Sequence, residues 1–540
     1  MRHPGLDESA AAHVDVRLVP AALTGWMVTA AGIWWPVGRA VAACGVVLAV
    51  VAGGLACYAA RRAGRARRLR AIGAGVVAIG VVGAGFGLAI ALRVDAVGRH
   101  PITAAFGTAA QVTVTPTESA LSLGSGRLMF RATLQRLRAD EMSGRVVVFA
   151  RASDFGSETG GVMVGRPMRF TARINRPSRS DLTVAVLTAS DRPTMGTAGA
   201  VQRAAHAVRG RFAAAVRGTL PADQAAMLPA LVLGDTSAVT AETSRDFRVA
   251  GMTHLTAVSG ANVTIVCATV LFSARLIGPR TAVVLAAVAL VAFVIVVQPT
   301  ASVLRAAVMG AIALAGMLSS RRRQAIPALS ATVLMLLALA PHLAVDVGFA
   351  LSVLATAALV VIAPVWSRRL VARGCPKPLA DALAVAWAAH VVTAPLVAGI
   401  SGRVSLVAAG ANLAVAPVIA PITVLGSAAA VLCVVWQAGA QLLIRFTAPE
   451  LWWVLSVAKW AADIPAATVP VPDGLAGVLL VGAAIALSLL LAALLWRHPW
   501  FRAVVRAAAL VTVICVLAWT VSELLDPRRD WSALHDTIVG

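Results

Sequence analysis

The chain has 540 residues, of which 59% are hydrophobic and 13% are charged, and its formal net charge is +23. An average soluble domain has about 25% charged residues, whereas the mean hydropathy of this chain is +0.84. The polar residues are too few to cover the surface of a soluble protein of this length. The composition therefore excludes a soluble protein and predicts a polytopic α-helical membrane protein.

Two apolar segments at 19–35 and 38–60 come first, and each is about long enough to cross a membrane. The segment 61–70 follows them with six arginines in ten residues. Because Lys and Arg collect in cytoplasmic loops, we expect this segment in the cytoplasm. A third apolar segment at 71–92 then leads outwards, so residues 1–92 are predicted to form an N-terminal transmembrane region.

Residues 93–195 differ in kind from the residues before them. Short runs of alternating polar and apolar residues, such as QVTVTPT at 111–117 and MRFTARI at 168–174, are separated by Gly, Pro, Asn, Asp and Ser. This pattern predicts a small antiparallel barrel or sandwich. The region has 14 arginines and 8 acidic residues, a net charge of +6. Because the span before it leaves the arginine-rich side, we expect this insert outside the cytoplasm.

Residues 196–253 are predicted to connect the insert to the next membrane region. Four arginines lie among alanines and valines in the first half of this connector: Arg203, Arg209, Arg211 and Arg217. Their spacing is typical of a basic helix at a membrane surface. The insert and connector together, 93–253, are expected to be extracytoplasmic.

Apolar segments dominate residues 254–525 and bring the predicted number of transmembrane helices to about 12–13. Basic clusters follow at Arg321–Arg323, between Arg368 and Lys377, and at Arg497 and Arg502. With the insert outside, alternating crossings put all three clusters in the cytoplasm, which agrees with the usual bias of basic loops. The chain is therefore expected to be a multi-pass protein of the plasma membrane.

One long apolar segment, 404–436, leaves the topology after it open. It contains Pro417 and Pro421, and prolines break or kink helices. It is predicted to be one tilted span, two short spans or a re-entrant element. The last residues, 526–540, are predicted to be a tail.

Several kinds of chemistry lack their sequence signatures. Neither of the two lysines, Lys377 and Lys459, follows a glycine, so a Walker A loop is absent. The histidines are too far apart for a zinc motif such as HExxH, and Ser259 lacks a GxSxG context. We therefore expect no catalytic residues, no metal and no cofactor.

The segment FRVAGMTHLTAVSGANV, 247–263, places polar residues where the chain enters an apolar segment. Polar groups exposed to hydrocarbon cost several kcal/mol each. His254, Ser259, Gly260 and Asn262 are therefore candidates for the polar lining of a conduit. The alternative is an ordinary helix start at the membrane surface, with Thr253 or Ser259 as the capping residue and Gly260 at a bend.

Further polar residues lie within the later apolar segments. Charged groups in membrane helices usually face a partner or a water-filled interior, and Arg305 and Asp346 are such groups. The two could form an ion pair. Asn412 lies beside the proline-broken segment, either as part of a site on a discontinuous helix or as a feature of a structural kink.

Four segments together resemble the ComEC family of competence proteins. They are FRVAGMTHLTAVSGANV (247–263), PTASVLRAAVMG (299–310), PHLAVDVGFALSVLA (341–355) and SLVAAGANLAVAPVIAP (405–421). They occur in the order typical of that family, and the upstream spans and β-rich insert also match its arrangement. The resemblance implies an inner-membrane channel for single-stranded DNA and an insert with an OB-like fold.

The resemblance also implies roles for particular residues. His254, Ser259, Gly260, Arg305, Asp346 and Asn412 are expected to line or gate the channel. Many relatives have a second histidine after the Ser-Gly pair, and this chain has Asn262 there, which argues against a role needing both histidines. The arginines at 203, 209, 211 and 217 are expected to contact DNA through its phosphates.

The resemblance further implies several partners. Many relatives end in a β-lactamase-like domain proposed to degrade one strand, and its HxHxD motif is absent here. We therefore expect a separate nuclease, a separate cytoplasmic motor, and a DNA receptor at the membrane as a further partner. Two other functions stay open: transport of another solute, and a non-transporting scaffold whose exported insert docks other proteins.

Overall fold

The computed structural model describes residues 16–35, 37–62, 66–155, 161–256, 258–298, 301–318, 325–500, 503 and 507. The chain divides into two compact units. The first comprises residues 1–393 and 405–469, and it contains the β-rich insert and most helices. The second comprises residues 394–404 and 470–540, with a small core of Ala394, Ala398 and Val481.

Among the residues described before the insert there are three helices: α1 (Val19–Trp34), α2 (Gly38–Arg62) and α3 (Ala66–Gly98). Helices α2 and α3 approach closely because glycines face each other across their interface. A Cβ atom at Gly45 would lie 2.7 Å from the backbone nitrogen of Ala84, and one at Gly87 would lie 2.9 Å from that of Ala42. Small residues of this kind let membrane helices pack backbone to backbone. Helix α3 continues six residues past the predicted boundary at 92.

Within its described residues the insert contains a turn of 3₁₀ helix, Pro101–Ala105, followed by seven strands and one short α-helix. They are β1 (Ala109–Pro116), β2 (Leu121–Ser122), β3 (Arg127–Leu137), β4 (Asp140–Arg151), α4 (Ala152–Phe155), β5 (Met168–Asn175), β6 (Ala185–Ala189) and β7 (Thr194–Met195). The pairs β1–β3, β3–β4, β4–β6, β6–β5 and β5–β1 close a ring. The insert is therefore a five-stranded barrel, one of the two folds that its alternating pattern predicted.

One pairing in the barrel differs from the antiparallel prediction. Strands β4 and β6 run parallel, with Val146 opposite Ala185, and every other pair is antiparallel. Parallel neighbours need a crossover connection, and the chain supplies one because α4 and β5 separate β4 from β6. Inward-facing side chains such as Phe130, Phe155 and Phe170 fill the barrel core.

Three helices follow the barrel: α5 (Ala200–Arg217), α6 (Ala222–Leu233) and α7 (Ala241–Val249). The basic helix predicted from the arginine spacing is α5. Helix α6 ends at Gly234, whose φ of 69° is the left-handed conformation that commonly ends helices. The leucines and the methionine of α6 are buried in the main helical core, because its second half, Met227–Leu233, is apolar throughout. The predicted connector is therefore part of the helical region.

Further helices and two short strands follow in the described part of the chain. They are α8 (Gly260–Ala274), α9 (Pro279–Val297), α10 (Ala301–Leu318), α11 (Ala325–Leu339), α12 (Val347–Ala357), α13 (Ala363–Val371), α14 (Lys377–Ser401), β8 (Arg403–Ser405), α15 (Ala408–Val435), α16 (Gln437–Phe446), α17 (Ala448–Asp463), β9 (Thr468–Pro470) and α18 (Gly474–Leu495). A turn of π-helix, Ala358–Ile362, joins α12 to α13. The main core combines side chains of α5, α6, α8, α9, α15 and α17.

Within the described residues, seven helices are long and apolar enough to cross a membrane. They are Gly38–Leu55, Gly73–Ala105, Pro279–Val297, Val347–Val371, Lys377–Ser401, Ala408–Val435 and Gly474–Leu495. Five shorter apolar helices lie at Val19–Trp34, Ala222–Leu233, Gly260–Ala274, Ser302–Ala315 and Ala325–Leu339. The chain is therefore a multi-pass membrane protein, and the total of 12–13 spans stays a prediction.

The ambiguous segment 404–436 is one continuous helix, α15, with Pro417 and Pro421 inside it. Prolines are tolerated in membrane helices because neighbouring groups satisfy the freed carbonyls. Some sequence predictions fall outside the described residues: the tail at 526–540, the basic cluster at 321–323, and nearly all of the apolar segment at 503–524.

Candidate functional site

The polar segment 247–263 forms a bend between α7 and α8. Gly251 has a φ of 67° and lies so close to the start of α15 that a Cβ atom there would collide with Ala408. Only glycine fits both this conformation and this contact. His254 follows in a single turn of 3₁₀ helix, Thr253–Leu255, and its side chain is exposed. Sequence reasoning did not select Gly251, although its place before His254 in a polar cluster was visible.

Asn412 ties this bend to α15. Its side-chain nitrogen donates to the carbonyl oxygen of Ala408 at 2.8 Å and to that of Gly251 at 3.4 Å. Ser405 adds a second tie, since its hydroxyl donates to the carbonyl of Val249 at 2.7 Å. Asn412 therefore lies next to the His254 segment, and α15 has no break at this point.

Ser259 and Asn262 form a hydrogen-bonded pair at the start of α8. The Ser259 hydroxyl donates to Asn262 Oδ1 at 3.1 Å, and Asn262 Nδ2 donates to the carbonyl of Leu231 at 2.9 Å. Ser259 occupies the N-cap position, but its side chain makes no capping hydrogen bond. The capping alternative is therefore wrong for Ser259: its hydroxyl donates to Asn262 and accepts no backbone N–H of α8.

A small cavity adjoins this pair. Its volume is about 10 Å³, and Ser259, Asn262 and Thr423 contribute its polar lining. This is about the space that one water molecule requires. The polar groups at the start of α8 thus border a space about the size of one water molecule, and the rest of its lining is apolar.

Arg305 of α10 is the buried charge of this region. It is only 7% exposed, its Nε donates to Ser352 Oγ at 2.7 Å, and its Nη1 donates to Thr356 Oγ1 at 2.5 Å. Gly260 lies against the guanidinium, since a Cβ atom there would be 3.0 Å from Arg305 Nη2. Sequence reasoning missed Ser352 and Thr356. Their i, i+4 spacing on an apolar helix, which puts both hydroxyls on one face, could have identified them.

Asp346 has different partners from those that the sequence allowed. Its Oδ1 accepts the backbone N–H of Phe349 at 2.8 Å and so caps α12. Its Oδ2 lies 3.9 Å from Arg131 Nη2, on strand β3 of the barrel. The Arg305–Asp346 ion pair is not formed, because each of these side chains is held by other groups. Asp346 belongs to the junction between barrel and helices.

The four arginines of α5 have different environments. Arg209 is buried, and its Nη1 donates to the carbonyls of Leu233 at 2.9 Å and Val296 at 3.2 Å, the ends of α6 and α9. Burial lowers the pKa of Arg209, and Asp235, 3.8 Å away, opposes that shift. Arg203 donates to the carbonyl of Ala198, and Arg211 donates to that of Val434 at 3.3 Å.

Arg203, Arg211 and Arg217 are nevertheless exposed. The structure thus separates the four candidates for DNA contact. Arg209 binds the carbonyls at the ends of two helices, whereas the other three arginines have accessible side chains.

Within the described part of the chain, no group of three or more His, Cys, Asp or Glu side chains could hold a metal ion. The site consists instead of a buried arginine with two hydroxyls, a serine–asparagine pair, and a glycine bend that Asn412 secures. Such groups can bind or guide a polar solute.

The comparisons with known proteins agree with this location. No curated protein and no solved structure matches the chain. A model of the competence protein family matches residues 231–500, which include every group of this site. The match covers 270 of the 540 residues, and the chain therefore belongs to the competence protein family.

Proposed function

We propose that the chain is the conduit that carries single-stranded DNA across the plasma membrane during natural transformation. The observation that carries this proposal is the environment of Arg305. A buried guanidinium surrounded by hydroxyls in apolar helices is costly, and charges retained at membrane depth usually serve a solute path. The family match, which associates the chain with DNA uptake, supports DNA as that solute.

The positive charge of Arg305 is proposed to act on the phosphates of the DNA backbone. A strand moving through a polar interior needs cations that screen its backbone without holding it tightly. In this proposal Arg305 supplies such a charge at depth. His254, Ser259, Asn262 and Asn412 supply neutral hydrogen-bonding groups near the bend, and Gly260 leaves room beside the guanidinium. No bond of the DNA is broken here, so the conduit is not an enzyme.

The insert is proposed to be an OB-type barrel on the outer face of the membrane. Its closed ring of five strands supports this assignment, as does its net positive charge, which suits a surface that meets DNA first. A cytoplasmic motor, a nuclease and a DNA receptor at the membrane are proposed as separate proteins.

The test is uptake of fluorescently labelled DNA by a deletion strain that carries variants of the gene. Wild-type protein should restore uptake. Arg305→Gln should reduce it about tenfold or more, since a hydrogen bond to a charged group contributes about 1.5–3 kcal/mol. Arg280→Gln is the matched control, because Arg280 is an exposed arginine on the neighbouring helix α9. Immunoblots of membranes check that the variants accumulate equally.

The same strains separate the other functions. If deletion leaves DNA uptake and transformation unchanged, the conduit proposal is wrong in that host, and transport of another solute becomes the better reading. If the deletion abolishes uptake but Arg305→Gln and His254→Ala both support it fully, the chain acts as a scaffold.

A further inference from the structure

A second polar space lies where the barrel meets the helices. It is a cavity of about 460 Å³, lined by Trp34 at the end of α1, by Arg131 and Arg145 of the barrel, and by His342 between α11 and α12. Arg179 and Asp346 also line it. Leu182 packs into the core formed by α1, α11 and α12, and Ser119 donates to Gln298 Oε1 at 2.9 Å. These contacts hold the barrel against the helices around the cavity.

The arginines of the cavity are unequally engaged. Arg131 Nη1 donates to both oxygens of Glu118 at 3.1 and 3.2 Å. The Nη1 nitrogen of Arg145 is buried and has no acceptor within the described part of the chain. Arg179 is exposed. Two of the three guanidinium groups thus keep hydrogen-bonding capacity, and an unsatisfied buried donor costs about 1–3 kcal/mol.

Two carboxylates also line the cavity, and the backbone holds one oxygen of each. Asp181 Oδ1 accepts the N–H of Thr183 at 3.1 Å, and Asp346 Oδ1 accepts the N–H of Phe349 at 2.8 Å. With three guanidinium groups and two carboxylates, the lining has one formal positive charge in excess. Burial, then the charges of Arg145 and Arg131, lower the pKa of His342 to about 3. At neutral pH this imidazole is uncharged and can donate or accept a hydrogen bond.

Trp34 gives the cavity an aromatic wall. Its side chain is 56% exposed, and Trp35 contacts it edge-on at 5.9 Å between ring centroids. The barrel has few aromatic rings that could stack on a base, because Phe130, Phe155 and Phe170 are buried in its core. Its other two phenylalanines each have an arginine over the ring. Proteins that bind single strands combine cations for the backbone with aromatic rings on which bases stack.

We propose that this cavity binds one nucleotide of a single DNA strand, with the phosphate on Arg145 and Arg179 and the base on the ring of Trp34. Its size supports a nucleotide: pockets for ligands of that size occupy about 300–1,000 Å³, and a bare phosphate would leave most of 460 Å³ empty. The choice of a DNA strand rests on the proposed function. In this arrangement the ring on which the base stacks, Trp34, comes from a membrane helix and not from the barrel.

The test uses the full-length protein in nanodiscs of zwitterionic phosphatidylcholine. Binding of a fluorescein-labelled thymidine 12-mer is followed by anisotropy. Trp34→Leu and Arg179→Gln change exposed side chains. Trp34→Leu should weaken binding about tenfold, within the range for removal of one stacking ring. Arg179→Gln should weaken it about as much, because it removes a charged hydrogen bond to the phosphate. Trp34→Phe should keep part of the affinity. Arg145→Gln should weaken binding as well, and circular dichroism checks that it folds.

Matched controls come from side chains outside the cavity. Trp35→Leu removes the neighbouring tryptophan, which is 59% exposed, and Arg173→Gln removes an exposed arginine of strand β5. Both should bind within about threefold of wild type. If the cavity variants weaken binding no more than these controls, the proposal is overturned.

A phospholipid headgroup is the competing occupant, because tryptophan also anchors proteins at membrane surfaces. Native mass spectrometry of the protein prepared from bacterial membranes addresses it. A retained phospholipid that is lost in Trp34→Leu and Arg179→Gln, with unchanged oligonucleotide binding, would overturn the nucleotide assignment. The two assays separate this proposal from the proposed function: cavity variants that bind the oligonucleotide like wild type, while uptake fails with Arg305→Gln, refute the cavity alone. Cavity-dependent binding without any dependence of uptake on the protein refutes the conduit alone.

Discussion

Gly260 at the start of α8 lies directly against the guanidinium of Arg305 on α10, so that a Cβ atom at position 260 would be 3.0 Å from Arg305 Nη2. Because glycine has no side chain, the guanidinium fits against α8 and still donates to Ser352 and Thr356 on α12. Three helices are thus joined at one buried charge, and the absence of a side chain at residue 260 is a condition of that arrangement.

Gly260→Ala should therefore disturb the charge without removing it. The added methyl would push the guanidinium aside by a few tenths of an ångström and so weaken its hydrogen bonds to Ser352 and Thr356, each of which contributes about 1.5–3 kcal/mol. We expect DNA uptake to fall about threefold to tenfold at equal protein level. Gly310→Ala on α10 is the control, because its Cβ would meet Leu290 at an ordinary 3.5 Å. Equal uptake by both variants would show that the contact between Gly260 and Arg305 does not affect DNA uptake.

Arg209→Gln should destabilise the protein. The shortened side chain cannot reach the carbonyls at the ends of α6 and α9, and leaving such buried acceptors unpaired costs about 1–3 kcal/mol. The thermal unfolding temperature in nanodiscs should fall. Arg217→Gln on the same helix changes an exposed arginine, and its unfolding temperature should match that of the wild type. The opposite order would mean that Arg209 is not the residue that secures α5.

Gly45→Ala should loosen the packing of α2 against α3. The new Cβ would lie 2.7 Å from Ala84 N and 2.8 Å from Gly80 O, both backbone atoms that cannot move without shifting a helix. Overpacking of this kind costs about 1–3 kcal/mol. Gly54→Ala on α2 meets nothing within 4 Å and should be neutral or slightly stabilising, because alanine favours helix. Thermal unfolding of the two variants side by side is the measurement; equal values would contradict close packing at Gly45.

His342 should make the protein less stable in acid. The pKa of its imidazole is about 3 in the folded protein, against an ordinary value of 6.5. The unfolded chain therefore binds more protons between these two values. The contribution of His342 to stability is complete above pH 6.5 and is lost as the pH falls towards 3.

Lowering the pH from 7.5 to 5 should remove about 2 kcal/mol of that contribution. The measurement is thermal unfolding of wild type and His342→Gln at both pH values, and the variant should show a smaller difference between them. If the two proteins lose the same stability on acidification, His342 is not held neutral by its surroundings.

The class of the protein and the places of its first helices follow from the sequence alone. Long apolar segments need lipid as their solvent, so α1 and α2 begin and end within two residues of the predicted segments 19–35 and 38–60. Period-two alternation likewise marked the strands of the insert, although barrel and sandwich share that pattern. The ordered motifs indicated the family before any geometry was available.

The contacts between polar side chains depend on the tertiary structure. Arg305 was expected near Asp346, but the folding of α10 against α12 and α8 brings it to Ser352, Thr356 and Gly260. Asp346 instead faces the barrel. Residues far apart in the chain, such as Trp34 and Arg145, line one cavity only because the barrel packs on α1. Sequence periodicity reports which face of an element avoids water, whereas the partner of each polar group depends on how the elements pack.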